Sequence, residues 1–179
     1  PEVLFVFASI AFDQDKLIEG ISASAPGVLL VGCSSAGEIS GDGLSLEKSV
    51  VVLAIASDKV KFWGAVGNHI MWNAKQAGQE LANTLEYDSH GYMTSALLFL
   101  DIISGNGELA LSGMLERLGQ NFPIYGGSAA DDMLFFQTYQ YLGDKAYNGS
   151  AVGVGISGEY HAVGVARHGF LPIGIARSV

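Results

Sequence analysis

Two short stretches of small residues, each following directly on an apolar run, restrict this chain more than any other feature. The first is Val31-Gly32-Cys33-Ser34-Ser35-Ala36-Gly37-Glu38, and the second is Tyr125-Gly126-Gly127-Ser128-Ala129-Ala130-Asp131-Asp132. Both run glycine, a small residue, serine, more small residues, then acid, and they lie 94 positions apart. At that offset Leu4-Phe5 also falls on Leu98-Phe99 and Leu17 on Leu111. Beyond the loops an offset of 100 sets Val52 on Val152, Ser57 on Ser157 and Gly64 on Gly164. A repeat this long exceeds a solenoid unit, so it predicts two half-domains packed on each other rather than an array.

The order of elements repeats along with the residues. Val3 to Ala8 and Val28 to Val31 are continuous apolar runs, which predict strands buried on both faces. Between them Asp13 or Asp15 caps a helix striped by Leu17, Ile18, Ile21 and Ala25, and Pro26-Gly27 ends it. Val50 to Ala56 and Val60 to Val66 predict a hairpin. The second half follows with a strand over Ala96 to Leu100, a helix over Gly107 to Leu118 and a short strand at Pro123 to Tyr125. A strand over Phe135 to Leu142 comes next, then a hairpin of Ser150 to Ile156 with Tyr160 to Ala166. Asn73 and Gln76 resemble a capping box, which starts a linking helix over about 73–86. The expected fold class is α/β: a mixed sheet built from two pseudo-repeated strand–helix–strand plus hairpin units, about 3–69 and 96–169, in one domain over 1–179.

Charge and composition remove several function classes. The formal charge is −9 with only nine Lys plus Arg and no basic run, which disfavours nucleic acid and anionic membranes as partners. No apolar stretch reaches the roughly 18 residues of a membrane span. The single cysteine excludes an internal disulfide and fits a reducing compartment.

The two loops are the candidate ligand site, at strand ends where open α/β sheets place ligands. It opens at Gly32 and Gly126, and backbone N–H groups at Cys33, Ser34, Ser35 and Ala36, and at Gly127, Ser128 and Ala129, suit a carboxylate. Glu38, Asp131 or Asp132 suits an ammonium group, so an amino acid satisfies both. The competing explanation is that the small residues only permit close packing where the halves meet. Asp131-Asp132 is a thin case for a cation, because neighbours in an extended segment point apart, and capping by one of them is favoured. Cys33 is a nucleophile only if its pKa is lowered; a buried small filler is the favoured reading. Arg167 suits a bidentate carboxylate clamp and His168 a ligand donor, or both simply support the following turn. No histidine spacing suggests a metal, and no nucleophile–base pair is legible, so no catalytic or metal residue is assigned.

Together with Arg167-His168-Gly169-Phe170-Leu171-Pro172-Ile173-Gly174, the two loops resemble the N-terminal part of the FIST sensory domain, over Val3 to Gly174. The resemblance implies a cytoplasmic input module of bacterial signalling proteins that binds small ligands, amino acids among those proposed. The output partners it implies are chemoreceptor, histidine-kinase or cyclic-dinucleotide enzyme domains. It also implies a C-terminal half, which this sequence, ending at Val179, does not include. Two alternatives remain open: a haem-based nitric oxide sensor with His168 or His161 as axial ligand, and a protein-interaction module that binds no small molecule.

Overall fold

The computed structural model describes residues 1–41, 43 and 45–165. The first half contains β1 (Val3–Ser9), α1 (Gln14–Ser24), β2 (Leu29–Ser35), β3 (Glu38–Ile39), β4 (Ser45–Leu46), β5 (Val50–Ile55) and β6 (Val60–Gly67). The linking helix is α2 (Ile70–Asp88). The second half contains β7 (Ser95–Leu100), α3 (Gly107–Leu118), β8 (Ile124–Ser128), β9 (Gln140–Leu142), β10 (Lys145–Tyr147) and β11 (Ala151–Gly158).

The two halves share one pairing pattern. In the first half β1 pairs parallel with β2 and antiparallel with β5. In the second, β7 pairs parallel with β8 and antiparallel with β11. Each parallel pair is bridged by a helix with a side-chain cap. Asp13 accepts the Lys16 N–H at 3.2 Å, and Asn106 accepts that of Leu109 at 3.0 Å. Asn73 likewise accepts the Gln76 N–H at 3.1 Å. It caps the main part of α2 after a kink, where its own φ of −152° leaves the helical region, so α2 begins a turn earlier than its capping signal.

The α/β class holds, but the sheet is divided in two and the expected hairpins are not hairpins. One sheet has the order β10-β9-β2-β1-β5, the other β6-β11-β7-β8, and β3-β4 is a separate ribbon. Adjacent β5 and β6 lie in different sheets, since each pairs with a distant strand. The halves thus exchange strands: β6 extends the second sheet, and β9-β10 extend the first. The described part of Tyr160–Ala166, residues 160–165, enters no ladder, and of Phe135–Leu142 only the last three residues form a strand. The physical reason is burial. Strands that are apolar on both faces need a layer on each side, and one hairpin-extended sheet has no second sheet to cover it.

Face-to-face packing supplies that cover. Val3, Phe5, Val31 and Cys33 of the first sheet meet Phe99, Val152 and Val154 of the second. Phe7 and Phe99 cross edge to face, with centroids 5.8 Å apart. The outer face of the first sheet packs Leu4, Val6 and Leu30 against Ile18 of α1. That of the second packs Ala65 and Leu98 against Leu81 and Leu85 of α2 and Met114 of α3. The layers therefore run helix, sheet, sheet, helices.

Gly32 and Gly126 occupy the same position in the two halves. Gly32 lies across the parallel ladder from Val6, and Gly126 across from Leu98. A Cβ would stand 1.9 Å from the Val6 carbonyl oxygen in one case and 2.0 Å from that of Leu98 in the other. Val6 is thus the partner of Leu98, so the match of Leu4-Phe5 with Leu98-Phe99 is slipped by two residues, which preserves the face. The match of Val52 with Val152 does not survive. Val52 sits opposite Val6 on the helix side, whereas Val152 faces the inter-sheet core.

Gly126→Ala is expected to cost about 1–3 kcal/mol, since the added methyl meets backbone. Gly127, with nothing within 4 Å of its Cβ position, tolerates alanine to within about 0.5 kcal/mol. Urea denaturation of the two variants checks the contrast.

Candidate functional site

The two small-residue stretches come together, and they do so by bonding to each other. Ser34 is fully buried. Its hydroxyl donates to the Ala130 carbonyl at 2.7 Å and accepts the Tyr139 N–H at 2.9 Å. Its backbone N–H donates to the Tyr139 carbonyl at 2.8 Å, and its carbonyl accepts the Ala130 N–H at 2.9 Å. Ser34 therefore uses every polar group it has to tie the first half to the second.

This placement differs from bare loops. Gly32, Cys33, Ser34 and Ser35 are strand residues of β2, flanked by β1 and β9. Gly126, Gly127 and Ser128 are exposed on β8, an edge strand. Ala129 is buried, and its N–H donates to the Leu100 carbonyl at 2.8 Å. A cleft of about 450 Å³ opens between the stretches, walled by Phe7, Cys33, Ala36, Phe99, Gly127 and Ser128, with no charged side chain in its lining. Cys33 is buried, and burial pushes its thiol up to about 12, so the thiolate is scarce near neutral pH.

The acids are committed to structure. Glu38 is buried and accepts the Ser35 hydroxyl at 2.7 Å and the Ser49 hydroxyl at 2.5 Å. Asp132 accepts the Ser9 hydroxyl at 2.6 Å, yet stays half-buried beside open space. Asp131 is buried and accepts three backbone N–H groups, from Phe135, Phe136 and Gln137. Burial opposes its ionisation, but these N–H groups outweigh it and hold the carboxyl below the usual range. It thereby folds the 132–137 loop, which raises Met133, Leu134, Phe135 and Phe136 into solvent. Asp101, at the end of β7, is likewise spent on Ile103, Ser104 and Gly149. Among the described residues, no three His, Cys, Asp or Glu side chains gather where a metal would sit.

That raised loop forms one wall of a second cavity, of about 520 Å³, whose lining includes Ile10, Ala36, Glu47, Lys48, Asp132 and Met133. Only Ala36 and Asp132 of this set were legible as site residues. Lys48, among the described residues, makes no ion pair, and its φ of +51° marks a turn. The one sequence signal for it was the scarcity of cations. His161 is exposed beside a hollow of about 260 Å³. Arg167 and His168 lie outside the described residues.

A family model, the FIST N domain, matches residues 2–179, the two stretches and the whole sandwich included. The chain belongs to the FIST N domain family. The family is one of signal-transduction sensory domains. No curated protein matches the chain. In this FIST N domain the paired stretches are the seam between halves, and the charged cavity lies beside that seam. Among the described residues, no helix is long and apolar enough to cross a membrane.

Ser34→Ala strands the Ala130 carbonyl and the Tyr139 N–H, so it is expected to cost about 2–4 kcal/mol in urea denaturation. For Asp131 the folded carboxyl ionises below the unfolded value of about 3.9. Its contribution is complete above that value and is lost as pH falls through the folded value. Asp131→Asn is therefore expected to lose about 1–3 kcal/mol at neutral pH, a deficit that narrows steadily below about pH 4 in urea unfolding across a pH series.

Proposed function

We propose that this sensory domain takes up an amino-acid-like ligand in the 520 Å³ cavity beside the seam. The observation that carries the reading is the lining. It holds Lys48, a cation with no ion pair among the described residues, an acid at the rim, Asp132, with Glu47 nearby, and an apolar wall from Ile10, Met133 and Leu134. A zwitterion needs both signs of charge, and a side chain needs an apolar wall. The volume lies within the range of small-molecule sites. Lys48 takes the carboxylate and Asp132 the ammonium group, while Ser9 orients the Asp132 carboxyl. Ala36 and Gly37 let backbone approach the ligand.

The domain binds rather than turns over its ligand: the Cys33 thiol stays protonated, and the buried acids are already hydrogen-bonded. A ligand bridging Lys48 to Asp132 draws the 132–137 loop of the second half toward the first, a change that a cytoplasmic output domain of chemoreceptor, histidine-kinase or cyclic-dinucleotide type can read.

Thermal shift against the amino acids is expected to show saturable stabilisation that grows with ligand over Kd. Lys48→Met and Asp132→Asn are each expected to weaken binding roughly ten- to hundredfold in calorimetry. An unchanged affinity in both variants rejects this cavity as the site.

A further inference from the structure

Compared strand for strand, the two sheets differ at the outer side of β5. In the second sheet the order β8-β7-β11 continues into β6. In the first, the matching order β2-β1-β5 stops, and β5 is an edge. Its open side is apolar: Val52 is 44% exposed and Leu53 54%. The Ser9 N–H donates to the Ser49 carbonyl, so with the alternation of an antiparallel ladder Val51 and Leu53 bond inward. Val52 and Ala54 then direct their N–H and C=O groups to the open edge, a template for another strand.

The chain itself supplies a matching strand. β6 follows β5 after the four residues 56–59, crossing from one sheet to the other. A step of four residues after Ile156 brings the second half to His161. The two crossings touch: the Glu159 N–H donates to the Lys59 carbonyl at 3.3 Å, and the Lys59 ammonium meets the Glu159 carboxylate at 2.8 Å. In residues 160–165 Gly164 lies against the Tyr125 ring, which stands 2.5 Å from its Cβ position, while Val163 and Val165 are 75% and 78% exposed. In the structure this segment runs beside Thr94, Ser95 and Tyr125, outside any ladder.

We propose that the edge of β5 is a docking surface for Tyr160–Val165 of the same chain, which adds as a sixth strand to the first sheet, as β6 adds to β11. The ladder satisfies the open groups of Val52 and Ala54, and it covers apolar surface on both partners. The inference is independent of the ligand reading, because β5 contributes no residue to the cavity.

Amide hydrogen exchange on the full chain tests it. Val52 and Ala54 are expected to exchange at least about a hundredfold more slowly than an open strand edge does. The double substitution Val163→Asp with Val165→Asp, at two solvent-exposed positions, is expected to remove that protection while leaving Leu30 and Val152 protected. Rapid exchange of Val52 and Ala54 in the unaltered chain overturns the proposal, as does protection that survives the double substitution. Protection that appears only at high concentration, with doubled mass in light scattering, also overturns it and assigns the edge to a second copy.

Discussion

Everything distinctive in this fold depends on one buried serine. Ser34 gives its N–H, carbonyl and hydroxyl to Ala130 and Tyr139. Without that seam, the segment that returns from β8 to β9 has no reason to lie against β2. β9 would lose its register, and the loop that walls the charged cavity would lose both anchors. A polar group is the right tool here because its bonds are directional. Apolar packing alone holds two sheets together but leaves them free to slide, whereas four hydrogen bonds to one residue fix a register.

The exchange of strands follows from the same need to bury both faces of apolar strands. Each half builds three strands of its own sheet, and the first lends β6 to its partner while the second lends β9 and β10. The inter-sheet core is therefore made equally by both halves, and neither half can be peeled away without exposing it. Small residues make the contact possible. Gly32 and Gly126 admit carbonyl oxygens where a Cβ would collide, and Gly78 does the same for Ala110 where α2 crosses α3. At these positions glycine serves packing.

Among the charged groups, commitment separates structure from function. Glu38, Asp101 and Asp131 are buried with their oxygens occupied, and each stabilises a turn or a strand end. Lys48 and Asp132 border open space, and Lys48 lacks a counter-ion among the described residues. A sensory domain needs uncommitted charge beside an element that can move. The 132–137 loop, held by the carboxylates of Asp131 and Asp132, is such an element, and it carries four exposed apolar side chains.

By itself the sequence determined the α/β class, the three helices, with capping signals at Asp13 and Asn73 for the first two, and the apolar strands at each centre. These are set locally, by periodicity, capping and continuous apolar runs, and local signals are what a sequence carries openly. It also singled out Ser34, Ala36, Asp131 and Asp132: Ser34 and Asp131 hold the frame, and Ala36 and Asp132 border the larger cavity. Tertiary structure alone decided that β5 and β6 part company, because strand pairing depends on which faces need cover at long range. It alone decided that Val52 and Val152 face opposite ways, because a one-residue slip inverts a strand and leaves no trace in composition. Lys48 became a candidate only when the fold brought it beside Asp132, since a lone lysine carries no signal until its surroundings are known.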